Sequence, residues 1–367
     1  MDIIIPKYIT QGKLSHRLRG ALTMLATMAD VLARRALGKP LVPEWLIPFE
    51  IATLFFRHQF NHALSLKDVA EGRAYFDSFF PVVEPHFPVD ILPGEPDGPP
   101  GNWFIPHGHT SPLTMLYFHG GGYTFYFEVS KYFIARLAHL LQVPIFSLDY
   151  RLTPEHSHPA QIEDAMAAYR FLLAQGKNPA QLVLCGDSAG GHLVLMALIA
   201  LREADLPQPA LAMALSPWTD IGLRGASQFG NDRYDMVQGY QTLQYGQWLK
   251  GGKNYTDAEL SPMGQDFCGT APIYLQAGGR EILVDMIRDF ARHAANQHAQ
   301  IRLDVWKDMT HEFHGYGNTL PQSSQAIARL REAMDWATDE SSRSHEALFA
   351  PIEETELDAL ELTGCGN

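Results

Sequence analysis

The chain has 367 residues, 46% of them hydrophobic, enough to bury one large core or two modest ones. A formal net charge of -13 repels nucleic-acid phosphates and anionic bilayer surfaces on average, so neither is an expected partner. Cys185, Cys268 and Cys365 are odd in number and widely spaced, which speaks against a disulfide framework or a CxxC zinc site and favours a reducing, cytoplasmic compartment.

Near the N-terminus, "KLSHRLRGALTMLATMADVLARRALG" sets basic residues before apolar ones, as a secretory leader would. Asp30 interrupts the apolar run after about nine residues and Arg34 and Arg35 restore charge, so the spacing predicts an amphipathic helix instead. No stretch reaches the roughly 18 apolar residues of a membrane span, although weak surface association of this helix is left open. Residues 1–75 read as helical throughout, with "PEWLIPFEIATLFFRHQF" and "SLKDVAEGRAYFDSFF" carrying apolar side chains at helical spacing. From Val82 to Gly108 proline and glycine dominate, notably in "LPGEPDGPPGN", which suits an exposed connection and marks a boundary.

Beyond it, short β-rich runs alternate with helical ones. "TMLYFHG", "VPIFSLDY", "QLVLCG", "ALAMALS", "APIYLQAG" and "IRLDVWK" read as buried strands, and "SKYFIARLAHLLQ", "IEDAMAAYRFLLAQG", "GGHLVLMALIALREA" and "LVDMIRDFARHAANQ" as helices. The alternation predicts an α/β fold around a mostly parallel sheet, formed by residues 76–220 and 259–338. Residues 221–258 interrupt it with glycines and six aromatic side chains, the expectation for an inserted lid. From 339 to 367 the chain is acidic and polar and reads as a mobile tail.

Gly186-Asp187-Ser188-Ala189-Gly190 fits G-x-S-x-G, a pattern that chance alone produces about 0.1 times in such a chain. Its position, directly after "QLVLC" and opening the helix "GHLVLMALIAL", is the setting of a nucleophile elbow. The strained turn presses backbone against the serine, so its neighbours must be small, and the helix N-terminus aims N–H groups at a developing oxyanion. "YFHGGGYTF", residues 117–125, supplies further unshielded amides. Gly120 and Gly121 are expected to form the oxyanion hole with the N–H of Ala189.

"HGGG" (His119 to Gly122), "DYRLTPEH" (Asp149 to His156) and "GDSAGG" (Gly186 to Gly191) resemble, in order and spacing, the hormone-sensitive-lipase-like group of α/β-hydrolases. "SPWTD", "LSPM" and "MTHEFH" fall where that group has related stretches, so the resemblance covers about residues 80 to 335. It implies a carboxylesterase with a catalytic triad and a cap built from residues 1–75 and 221–258. The order Ser, acid, His then selects His311, which follows "IRLDVWK" within "MTHEFH". His314, between Phe313 and Tyr316, is the nearest competitor and is given a packing role. In "QAGGREILVD" the resemblance makes Glu281, standing where the family usually has Asp, the carboxylate that orients His311, and leaves Asp285 to support the next helix. Asp187 and Glu155 read as structural. "HEFH" lacks the four-residue histidine spacing of a metalloprotease helix, and the pairs His107 with His109 and His156 with His158 read as surface loops.

The expected reaction is hydrolysis of short-to-medium acyl esters of small, rather apolar molecules through an acyl-enzyme, with no cofactor and no metal. Tyr123 and Trp218 are candidate walls of the substrate pocket. A small-molecule ester is the expected partner, and a homodimer is left open. A lyase, cyclase or acyltransferase on the same fold is the rival enzyme reading, and a non-catalytic receptor is the rival outside catalysis.

Overall fold

Apolar segments too short for helices have to pair in order to satisfy their backbone groups, and here they assemble one sheet. A computed structural model describes residues 12–78 and 87–338. Eight strands run β1 (Val89–Pro93), β2 (Gly101–Pro106), β3 (Thr114–Phe118), β4 (Ile145–Leu148), β5 (Leu182–Asp187), β6 (Leu211–Leu215), β7 (Ile273–Gly278) and β8 (Ile301–Trp306). Their order across the sheet is β1-β2-β4-β3-β5-β6-β7-β8. From β4 onward every pairing is parallel, and only β1 with β2 and β2 with β4 are antiparallel. Strands β3 to β8 are buried along nearly their whole length, as sheets covered on both faces must be. The layers above and below are α4 (Glu128–Leu141), α5 (Ala160–Ala174), α6 (Ala189–Glu203) and α9 (Val284–Asn296), the four crossover helices the sequence predicts.

Two elements depart from expectation. The segment read as a connection from Val82 to Gly108 contains the β1–β2 hairpin, and only residues 94–100 link its strands. The proline-rich composition is compatible because β1 is an edge strand, mostly outside the core, with prolines at strand ends where no ladder N–H is missed. A helix that the sequence reading does not name, here called α10 (Pro321–Thr338), packs with α4 on one face of the sheet and buries Ile327, Leu330, Ala333 and Met334.

The N-terminal segment forms α1 (Leu14–Ala36), α2 (Ile47–Ser65) and α3 (Val69–Asp77). Helix α1 is amphipathic as predicted, but Leu14, Leu18, Leu22 and Leu25 face outward and are more than half exposed. It is tied to α2 by Arg34 and Arg35, which converge on the fully buried Glu50 at 3.0 and 2.6 Å. The inserted residues carry the short α7 (Ser227–Gly230) and α8 (Gly239–Lys250). Helix α2 grips the insertion: Arg57 donates to the carbonyls of Asp235 and Arg233 at 2.7 and 2.8 Å, and Tyr240 donates to Asn61 at 2.6 Å. Among the described residues no helix is long and apolar enough to cross a membrane. The acidic stretch 339–367, and Cys365 within it, lie outside the described residues.

Candidate active site

Ser188 sits between the last residue of β5 and the first of α6 with φ 52° and ψ -116°, a conformation that costs an L-residue free energy and is held here by its surroundings. Those surroundings explain the small neighbours. A Cβ on Gly190 would lie 1.9 Å from the Phe118 carbonyl oxygen, and one on Gly186 would meet the Gly190 backbone at 2.6 Å. The turn can therefore close only around glycine.

His311 follows β8, and its Nε2 stands 2.9 Å from Ser188 Oγ. Its Nδ1 faces Glu281 Oε2 at 3.8 Å, an ion-pair distance longer than a hydrogen bond; triad contacts of this kind commonly tighten only with substrate bound. Glu281 is fully buried after β7 and is aimed by two donors to Oε2, Ser216 Oγ at 2.6 Å and the Gly278 N–H at 3.1 Å. Burial works against a charged imidazole, but the carboxyls of Glu281, Glu312 and Asp235 outweigh it and raise His311 to about 9. Asp285, in the first turn of α9, accepts from the Ser227 N–H at 2.8 Å and so joins α9 to α7, away from the imidazole.

The backbone amides around Ser188 differ from expectation at one position. Gly120 gives its N–H to Asp187 Oδ2 at 3.0 Å, so it is committed to the fold. Gly121 and Gly122 line the cavity at Ser188, and among the described residues their N–H groups and that of Ala189, at the helix start, have no partner. His119 explains the head of the HGGG motif: its ring lies stacked between Tyr126 and Tyr150, and Nδ1 bonds the Gly120 carbonyl at 2.7 Å, fixing the loop from behind. Burial lowers this histidine to about 3, so it stays neutral.

Trp218 lines the same cavity. Tyr123 does not: it is 1% exposed and turned inward, with its hydroxyl 2.6 Å from His192 Nδ1, because its left-handed backbone (φ 60°) points the ring under the loop. Asp187 is turned from the nucleophile toward Gly120 and Tyr117, and Glu155 receives both ends of the Arg73 guanidinium at 2.8 Å, anchoring its turn to α3. His107 pairs with Asp90 at 2.9 Å, and among the described residues no group of acidic, histidine or cysteine side chains is arranged to hold a metal ion.

Asp235, in the insertion, was not visible as a site residue in the sequence. It is fully buried, and its carboxylate accepts from the backbone N–H of Ile282 at 2.7 Å and of His311 at 3.1 Å. One side chain thus holds the Glu281 loop and the His311 loop together. Burial raises its pKa to about 6. Nothing local marks it, since its partners are 47 and 76 residues away.

A family model described as the alpha/beta hydrolase fold matches residues 115–315, which is more than half of the chain. The chain belongs to that family. An acetyl-hydrolase of Streptomyces hygroscopicus is 34% identical over 62% of this chain and 77% of its own length. An esterase of Acinetobacter venetianus is 28% identical over 60% of this chain and 74% of its own length. The crystal structure of an esterase from the bacterial hormone-sensitive lipase family superposes with a TM-score of 0.72 at 32% identity, covering 77% of this chain and 97% of the other. This α/β-hydrolase is a carboxylic ester hydrolase of the hormone-sensitive-lipase-like kind, and its substrate is a small molecule.

Proposed function

We propose that Ser188, His311 and Glu281 form the catalytic triad of this hydrolase and that it cleaves short-to-medium acyl esters through an acyl-enzyme. The observation that carries this reading is the 2.9 Å contact of His311 Nε2 with Ser188 Oγ beside three backbone N–H groups that have no partner among the described residues. His311 takes the Ser188 proton as Oγ attacks the ester carbonyl, and returns it to the leaving alcohol. The carbonyl oxygen, now negative, is received by the N–H groups of Gly121, Gly122 and Ala189. Water activated by the same imidazole then releases the acid, while the Glu281 carboxylate stabilises the imidazolium at each stage.

Of the expected cap, residues 1–75 and 221–258, the described parts, 12–75 and 221–258, act as a cover over the catalytic domain. Phe60 from α2 and Val237, Thr242 and Tyr245 from the insertion close over Ser188, leaving a void of about 30 Å³ at the nucleophile. The relatives' names, an acetyl-hydrolase and an ethyl acetate hydrolase of Pseudomonas putida, support small esters. The test is a series of p-nitrophenyl esters from two to sixteen carbons with wild type and Ser188→Ala. Turnover is expected to be best at roughly two to eight carbons and to fall by ~10⁴ to 10⁶ in the variant. A variant that hydrolyses like wild type, or a wild-type rate rising toward sixteen carbons, contradicts the reading.

A further inference from the structure

A second cavity, of about 160 Å³, opens beside the first and shares Phe60, Phe127 and Glu312 with it. A void of this size holds a benzene-sized group. Phe and Tyr side chains make up about half of its walls, with Phe56, Phe60, Phe127, Phe133 and Tyr316 among them. An aromatic box of this kind would accept any apolar arm, but two features break its uniformity.

The first is His314. It is 2% exposed and lines the cavity, and among the described residues neither ring nitrogen has a hydrogen-bond partner. A buried polar group without a partner is costly, and an imidazole placed only for packing would be replaced at no loss by a phenyl ring. Burial, reinforced by the charge of His311, lowers its pKa to about 3, so it remains a neutral ring with one donor and one acceptor nitrogen. The second is a carboxyl pair, Asp187 and Glu312, which also borders the cavity. Among the described residues neither meets an Arg or Lys, and burial raises both, Glu312 further because Asp187 lies beside it. Such a border disfavours an anionic ligand.

We infer that this cavity is a binding site for one arm of the ester, and that the arm is about the size of a phenyl ring and ends in a hydroxyl that pairs with the His314 imidazole. A hydroxyl both donates and accepts, matching a neutral imidazole, whereas a plain hydrocarbon leaves the imidazole unpaired and an ammonium offers donors only. The cavity adjoins the Ser188 void, so an arm there belongs to an ester whose carbonyl is at the nucleophile. The inference therefore rests on the triad proposed above.

The experiment compares kcat/KM for matched esters. One pair varies the acyl arm, ethyl 3-phenylpropanoate against ethyl 3-(4-hydroxyphenyl)propanoate. The other varies the alcohol arm, 2-phenylethyl acetate against 2-(4-hydroxyphenyl)ethyl acetate. In wild type the hydroxylated member of one pair is expected to be favoured about tenfold. In His314→Phe that preference should disappear, and His314→Asn, which keeps hydrogen-bonding capacity, should restore part of it. No preference in either wild-type pair overturns the inference without any variant, as does a preference that survives in folded His314→Phe. A trimethylammonioalkyl acetate of similar length that outruns both hydroxylated esters also overturns it, assigning the cavity to the carboxyl pair and a cation. p-Nitrophenyl acetate serves as the control: if wild type fails to hydrolyse it, the triad proposal has failed, which is a different result.

Discussion

The two sides of the site are built by different means. On the nucleophile side much is local: Ser188, the proposed oxyanion donor Ala189 and the glycines that permit the turn lie within six residues of chain, and only the amides of Gly121 and Gly122 reach in from the loop after β3. On the other side, Glu281 and His311 come from loops after different strands, and the Asp235 carboxylate from the insertion binds the backbone of both. A nucleophile can thus be encoded by spacing, whereas a correctly placed acid and base depend on tertiary contacts and on the cap segment being in place.

Substitutions on the second side sharpen this contrast. Glu281→Gln preserves shape and removes the charge that steadies the imidazolium, so kcat should fall by ~10³ to 10⁴ with modest change in KM. Asp285→Asn, which touches only the link from α9 to α7, should instead lower stability by about 1 kcal/mol and leave turnover nearly intact. Steady-state kinetics and urea melts of both variants check the assignment; a catalytic loss at Asp285 with none at Glu281 reverses it.

Asp235→Asn comes next. An amide oxygen can replace only one carboxylate oxygen, so either the Ile282 or the His311 N–H faces an NH₂ group and its loop shifts. Misplacement on this scale costs roughly 10²-fold in kcat. The labelling rate of Ser188 should fall with it, because the imidazole is displaced. Unaltered kinetics would mean that the two loops hold themselves.

A further effect is with pH. In the proposed mechanism the neutral imidazole is the base, and its pKa is raised to about 9, so kcat/KM for a neutral ester should climb through pH 7, 8 and 9 and level off above that, a gain of tens-fold by pH 9. The sign for stability is opposite. A histidine whose folded pKa exceeds the usual 6.5 stabilises the fold fully below that value and loses the contribution as pH rises through about 9. Glu281→Gln should move the rate profile to lower pH. A profile already flat above pH 7 in wild type contradicts the assigned electrostatics.

What could be read from the sequence follows the same division. The strands from Thr114 to Trp306 and their crossover helices are legible because both faces of the sheet are buried, so the runs are predominantly apolar even though β8 carries Arg302 and Asp304. The edge hairpin is not, because its exposed β1 has a loop's composition. Motif and order single out His311 and Ser188, which the fold brings into contact. In sequence the three glycines look equivalent, so Gly120 reads as an oxyanion donor; the Asp187 carboxylate that claims its N–H becomes visible only once the strands pair. Tyr123 lies elsewhere than its sequence position suggests for a related reason, since a positive φ at a non-glycine residue reverses where its ring points and leaves no trace in sequence. Asp235 and the open nitrogens of His314 depend wholly on distant partners, or on the lack of them.

The central claim is an activated nucleophile at the end of β5, and labelling with a fluorophosphonate followed by peptide mass mapping tests it most directly. The account predicts one covalent adduct, on Ser188, formed rapidly in wild type and slowly in Glu281→Gln. A folded wild-type protein that takes up no label, or carries it on another serine, would contradict it.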